Sequence, residues 1–110
     1  MERFGEFIKR LRTEKGFNQT QLAAKIGLDS GGLSKVETGK KDLKEEKLTL
    51  LARIFGISIE ELKKQYFSEK FAEDCYKYKC PDNVFELAEQ KVKYIKSVTV
   101  KQGEFNFKVQ

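Results

Sequence analysis

Residues 19–41 combine side chains of the types that can hydrogen-bond to nucleic acid with a spacing that predicts one shared surface. Residues 19–26 and 30–38 are each predicted to form a short helix, because each has apolar residues at helical spacing behind an N-cap residue, Asn18 or Asp29. A turn at residues 27–29 separates them, and small and polar side chains face outward from the second helix. This arrangement is suited to placing one helix end against the edges of DNA bases.

The sequence contains few residues that are candidates for a catalytic site. The chain has no histidine, and it has neither a glycine-rich phosphate loop nor a nucleophile motif. Cys75 and Cys80 are its two cysteines, and they make neither a zinc quartet nor a Cys-x-x-Cys pair. We therefore predict no enzyme activity, no metal, no cofactor and two reduced thiols.

Five predicted helices within residues 1–67 position the outward-facing side chains. The first covers residues 2–15 and ends at Gly16, and the fourth covers residues 44–55 and ends at Gly56. The fifth begins at the capping-box pair Ser58 and Glu61. Its apolar face allows it to continue to Tyr78, and a break near residue 68 is the alternative.

The remaining residues, 68–110, are predicted to form a helical extension with a β-like tail. A last helix is expected from residue 84 to about residue 96, after turn residues at 81–83. Apolar residues then alternate with polar ones around Gly103, which predicts a strand or hairpin. The alternating residues are Val98, Val100, Phe105, Phe107 and Val109. The predicted fold class is mainly α, with a short β element at the C-terminus.

The bulk composition agrees with binding to a polyanion. The formal net charge is +5 and the isoelectric point is about 9.2, a moderate electrostatic preference for nucleic acid. No apolar run of about 18 residues is present, and the first residues open an amphipathic helix instead of a secretion signal. We therefore expect a cytoplasmic protein that does not associate with membranes. No polar cluster in the extension indicates a small-molecule effector.

A set of residues over roughly positions 4–65 resembles the Cro and lambda-repressor-like helix-turn-helix family in order and spacing. The matching residues are Arg12, Gln19, Leu22, Ala23, Gly27, Leu33, Ser34, Lys35, Val36, Glu37 and Gly39. The resemblance implies a five-helix lambda-repressor-like DNA-binding domain over residues 1–67 that regulates transcription.

The resemblance implies phosphate contacts at both ends of the motif. Gln19, with Thr20 beside it, would bond a backbone phosphate at the positive N-terminus of the second helix. Lys40 and Lys41 follow the third helix, where the family's loop passes a phosphate strand, and would neutralise its charge. An ordinary solvated loop is the alternative for these two lysines.

The resemblance implies base contacts from the third helix. The residues at its major-groove positions are Ser30, Gly31, Gly32, Ser34 and Lys35, and Lys35 would donate to guanine O6 or N7. The glycine pair departs from the family pattern. Either it permits a close approach to DNA, or it marks a sequence-tolerant, partly frayed helix. Arg12 and Glu37 would form an internal ion pair that ties the first helix to the third.

The aromatic residues of the extension are too large to leave in water, so we expect them to pack against something. They are Tyr66, Phe67, Phe71, Tyr76, Tyr78 and Phe85. They either enlarge the monomer core or form a two-fold interface, and we favour the interface because two recognition helices about 34 Å apart reach successive major grooves. The expected partners are double-stranded DNA and a second copy of the chain.

Two hypotheses therefore remain for function. The first is a dimeric repressor or autoregulator. The run at residues 68–71 resembles short regulators found beside DNA methyltransferase genes in restriction-modification systems, so the operon would be of that kind or phage-like. The second is an antitoxin whose extension binds a partner protein. Both keep DNA binding in residues 1–67.

Overall fold

The computed structural model describes the backbone of residues 1–102 and the side chains of residues 1–99. Six helices lie in this range: α1 (Phe4–Glu14), α2 (Gln19–Lys25), α3 (Ser30–Glu37), α4 (Glu45–Phe55), α5 (Ile59–Lys77) and α6 (Val84–Gln102). The first four begin and end within two residues of their predicted bounds. The prediction of a mainly helical chain is confirmed.

Helix α5 is continuous from Ile59 to Lys77, so the alternative of a break near residue 68 is wrong. Its first half is held to the core by contacts that are distant in sequence. The Tyr66 ring packs edge-on against Phe4, with ring centroids 4.9 Å apart, and its hydroxyl accepts a hydrogen bond from the Leu43 amide at 3.0 Å. Beyond residue 68, the Glu69 carboxylate of the same helix contacts Phe4 and Arg3.

The predicted C-terminal strand is wrong where the structure describes it, because Val98 and Val100 lie in the last turns of α6. The alternation of Val98, Thr99 and Val100 is too short to distinguish a strand from a helix, and Val98 also falls three residues after Ile95 on the helical apolar face. The other alternating residues, Phe105, Phe107 and Val109, lie outside the described residues.

The first of two compact units, Met1–Glu73, contains the buried core. Helices α1 and α2 both pack against α3. The core side chains are Phe4, Phe7, Ile8, Leu22, Ala23, Ile26, Leu33, Val36, Leu43, Leu48, Leu51, Ala52, Phe55, Leu62 and Tyr66. All five helices up to α5 contribute, which fixes α3 from its inner side.

Polar contacts join the end of this unit to its beginning. The Glu69 carboxylate accepts a hydrogen bond from the Phe4 amide at 3.3 Å and forms an ion pair with Arg3. Lys70 donates to the Asp42 carboxylate, and this hydrogen bond raises the pKa of Lys70. The compact unit therefore extends past residue 67, where the sequence pattern placed its boundary.

The second unit, Asp74–Gln110, is described up to residue 102 and contains the end of α5, a turn and α6. Among residues 74–99 no side chain is buried. The exposed fractions are 53% for Phe85, 50% for Leu87, 49% for Val92 and 69% for Tyr94. This unit therefore leaves large apolar side chains in water. Within the described residues, none of the helices has the length and apolar character needed to cross a membrane.

Candidate nucleic-acid interface

Helices α2 and α3 are both started by side-chain caps. Asn18 and Gln21 form a capping box. The backbone amide of Gln21 donates to the Asn18 carboxamide oxygen at 2.8 Å, and the backbone amide of Asn18 donates to the Gln21 carboxamide oxygen at 2.9 Å. Asp29 Oδ1 accepts from the Gly32 amide at 2.5 Å. These caps satisfy amides that lack helical partners and set where α3 begins relative to α2.

The outer surface of α3 is open to solvent within its unit. Leu33 and Val36 point into the core, whereas Ser30, Gly31 and Lys35 are exposed. Ser34 is half-buried. The polar side chains predicted from the sequence thus share the outward side of one short helix, as a helix that enters a DNA groove requires.

The turn at the end of α3 brings two lysines together. Gly39 has a left-handed φ of 80°, and its amide bonds to the Val36 carbonyl at 3.1 Å. The Lys40 amide then bonds to the Lys35 carbonyl at 2.7 Å. This six-residue closure is the Schellman motif, which places its first and last residues side by side. Lys35 and Lys40 therefore present two positive charges at the same end of α3.

The two glycines of α3 have different environments. Gly31 is exposed, and a Cβ there would meet only the Asp29 carboxylate at an ordinary 3.6 Å. Gly32 is buried, and a Cβ there would lie 3.0 Å from Asp29 Oδ1 and 3.4 Å from Lys41 Nζ. The Lys41 ammonium therefore lies over the first turn of α3, and of the two glycines Gly31 is the one open to an approaching ligand.

A buried hydrogen-bond network holds α3 to α1 and α2. Arg12 Nε donates to Glu37 Oε2 at 2.7 Å, and Arg12 Nη2 donates to Glu37 Oε1 at 3.2 Å. Arg12 Nη1 donates to the Phe17 carbonyl at 2.9 Å. Both charged residues are less than a tenth exposed. A pair this buried is stable because each polar atom has a partner.

Gln19 belongs to the same network. Its Nε2 donates to Glu37 Oε1 at 2.9 Å, and the residue is half-buried. The side-chain amide of Gln19, which was predicted to bind a phosphate, therefore has a hydrogen-bond partner inside the protein. Thr20, in the first turn of α2, is exposed.

Two features of the site were missed in the sequence. At Gly5, α1 touches the end of α3, and a Cβ there would lie 2.2 Å from the Glu37 carbonyl oxygen. No local pattern marks Gly5, because its role depends on a contact 32 residues away. Lys44 and Lys47 line a shallow cavity beside Leu28 with Lys41, and Asp42 and Glu46 line it too. The clustering of lysines at 40–47 was the available signal.

A helix-turn-helix family model matches residues 8–62. The chain belongs to this family of Cro/C1-type DNA-binding transcription regulators, as the resemblance indicated.

Three curated relatives share this region. The chain is 39% identical over 61 residues to the SPbeta prophage-derived uncharacterized HTH-type transcriptional regulator YonR of Bacillus subtilis (strain 168), a match that covers 56% of each chain. It is 36% identical to the HTH-type transcriptional activator BcrR of Enterococcus faecalis, over 54% of this chain and 29% of that one. It is 38% identical to the control protein C.MunI of Mycoplasma sp, over 54% of this chain and 82% of that one. The matches thus span about half of YonR and under a third of BcrR.

A solved structure titled as a SinR protein/SinI protein complex has a similar fold. The match has a TM-score of 0.51 at 24% identity and covers 86% of this chain and 98% of that chain. At this identity the likeness concerns the fold alone.

Proposed function

We propose that this chain is a sequence-specific regulator that binds double-stranded DNA as a homodimer and acts as a repressor or autoregulator. The observation that carries the proposal is the exposed outer surface of α3, where the Gly39 turn pairs Lys35 with Lys40. Enzyme activity and cofactors have no part in it. The prophage regulator and the control protein among the relatives support a phage-like or restriction-modification operon.

Each side chain is assigned by where α3 presents it. Lys35 is exposed on the helix itself and reads a base edge, with guanine O6 or N7 as its acceptors. Ser30, Gly31 and Ser34 share its side and complete the base-facing surface. Gly32 lies behind them, buried under Lys41.

Phosphate contacts flank this surface. Lys40 and Lys41 follow the helix and are exposed, so they neutralise a strand that passes the end of α3. Thr20, on α2, contributes a further phosphate contact. Gln19 contributes indirectly, because its side chain is hydrogen-bonded to Glu37. Its place near the N-terminus of α2 orients that hydrogen bond.

Dimerisation is assigned to the second unit because its described side chains leave α6 apolar and exposed. Phe85 and Val92 are seven residues apart on α6, as are Leu87 and Tyr94, so each pair shares one flank of the helix. A two-fold axis would bury the same surface on both copies. Two copies of α3 about 34 Å apart would then address successive major grooves.

Lys35→Ala tests the base assignment. We expect the variant to lose about 1–3 kcal/mol of operator binding and to relax the preference at one base pair, as a direct base contact requires. Sites selected from a random DNA pool by the wild type and the variant are compared. Lys64→Ala, which removes an exposed lysine of α5, is the matched control and should select the same sites. An equal loss on every sequence would contradict the assignment.

Lys40→Ala tests the phosphate assignment. The variant should lower affinity uniformly across sequences, and the slope of log affinity against log salt should flatten by about one unit per subunit. Gel-shift titrations at several salt concentrations give the slope. If it is unchanged, Lys40 lies outside the interface.

A second candidate function is binding of a partner protein by the extension, as in an antitoxin. The exposed apolar side chains of α6 favour it. A tagged chain purified from its own host separates the two. A stoichiometric second protein that blocks self-association supports the partner, and a homodimer alone supports the regulator.

A further inference from the structure

The end of α5 brings the two cysteines of the chain together. Lys79 has a left-handed φ of 53°, and its amide bonds to the Tyr76 carbonyl at 3.3 Å. The Cys80 amide bonds to the Cys75 carbonyl at 3.0 Å, and Pro81 follows. This is the same six-residue Schellman closure that pairs Lys35 with Lys40 at the end of α3.

The closure sets side chains at its first and sixth positions in contact, and here both are cysteines. Partial burial raises the pKa of the Cys75 thiol, and the neighbouring Cys80 side chain raises it further. Both residues are partly exposed and both are free thiols. A small oxidant can therefore reach a pair of sulfur atoms already held side by side.

We propose that Cys75 and Cys80 form a reversible intramolecular disulfide when the protein meets hydrogen peroxide. In the first step the Cys80 thiolate attacks one peroxide oxygen, which breaks the O–O bond and gives a sulfenic acid and, after protonation, one water. The Cys75 sulfur then attacks the sulfenic sulfur, its proton is lost, and hydroxide leaves as a second water. Two thiols and one peroxide thus give one disulfide and two waters.

The bond is local, and its formation does not depend on the proposed DNA binding. It closes a loop inside the second unit, between the last turn of α5 and the residue before Pro81. It requires no second chain, because the backbone bond between the Cys80 amide and the Cys75 carbonyl brings the two residues close together within one turn. Oxidation would covalently fix the turn at which α5 ends.

The test follows the covalent state of the full chain after treatment with hydrogen peroxide. We expect a mass about 2 Da below that of the reduced chain, no thiols left for alkylation, and full reversal by dithiothreitol. The chain should remain a single species on a non-reducing gel. Thiols that stay open to alkylation, or a product that is mainly a linked pair of chains, would overturn the proposal.

A matched control separates the turn from mere nearness in sequence. The double variant Cys80→Ser with Asp82→Cys keeps two cysteines but moves one beyond Pro81 and outside the closure. Its disulfide should form about tenfold more slowly or not at all, since a preset geometry raises the effective concentration of the second thiol. Equal rates in the two proteins would overturn the role of the turn. Cys75→Ser should stop at a trappable sulfenic acid on Cys80, and its absence would overturn the order of steps.

Discussion

The two compact units differ in where their apolar side chains lie, although both consist of helices ended by similar turns. In Met1–Glu73 the apolar faces of five helices meet in one core, and side chains such as Ile8, Leu22 and Leu33 are fully buried. In the described part of Asp74–Gln110 no side chain up to residue 99 is buried. Local rules of helix formation operate in both units, but among the side chains that the structure describes only the first unit has buried ones.

This difference separates two sources of stability. In the first unit, buried apolar area and a buried ion pair fix α3, so substitutions there should change folding. No described side chain of the second unit is buried, so we propose that its apolar side chains pack against a second copy of the chain. Substitutions there should change association and leave the folding of the first unit unaltered.

The largest expected effect on folding comes from Arg12→Met. It removes the guanidinium and leaves the Glu37 carboxylate buried without its charged partner. Breaking a buried pair in this way costs about 3–5 kcal/mol. Exchange of the amides of Leu22, Leu33 and Leu48, which bond to the carbonyls of the N-cap residues of α2, α3 and α4, measures the free energy of unfolding of the first unit.

The double variant Arg12→Met with Glu37→Met is the control for this prediction. It replaces the pair with apolar side chains, and we expect it to recover most of the loss because no charge is left unpaired. A double variant as unstable as the single one would show that the two residues act separately. The comparison between the units would then lose its clearest example of buried polar packing.

Gly5→Ala should have the next largest effect. The new Cβ would lie 2.2 Å from the Glu37 carbonyl oxygen and 2.8 Å from that of Val36, so α1 must move away from α3. Overpacking of this kind costs about 1–3 kcal/mol. The same amide exchange measures the loss, and full protection at the wild-type level would contradict the close approach of the two helices.

Gly31→Ala should act in the opposite direction. The exposed glycine has room for a Cβ, and alanine stabilises a helix by about 0.5–1 kcal/mol over glycine. Amide exchange should slow while operator affinity is measured in parallel. If affinity falls as stability rises, the glycine serves close approach to DNA. If affinity is retained, it marks a sequence-tolerant helix.

The sequence predicted the first four helices well because their signals are local. Asn18 and Asp29 cap helices with their own side chains, and Gly39 ends α3 in a conformation that other residues rarely adopt. The same signals identify the helix-turn-helix motif and the outward side of α3. These features depend only on residues that are close together in the sequence, so the sequence alone predicts them.

The features that were missed depend on contacts between residues distant in sequence, or on apolar spacings that fit both a helix and a strand. Gly5 looks ordinary until α3 is placed against it, and the amide of Gln19 has the Glu37 carboxylate as its acceptor. The alternation at residues 98–100 fits both a strand and a helix, and the structure continues α6 through it. The continuity of α5 past residue 68 is supported by Glu69 and Phe4, whose contact no local pattern shows.

The smallest effect on folding should come from Leu87→Glu, which tests the second unit directly. Leu87 is half exposed on α6, so the unfolding free energy of the first unit should change by less than about 0.5 kcal/mol. The dissociation constant of the dimer should instead increase by about ten- to a hundredfold. This corresponds to the free energy lost when one leucine side chain is no longer buried. Sedimentation equilibrium measures it. Lys93→Gln makes the same change in net charge on the exposed polar side of α6 and should leave the dimer intact. If both variants dissociate equally, the apolar flank of α6 is not the interface, and the exposed side chains of the second unit await a different partner.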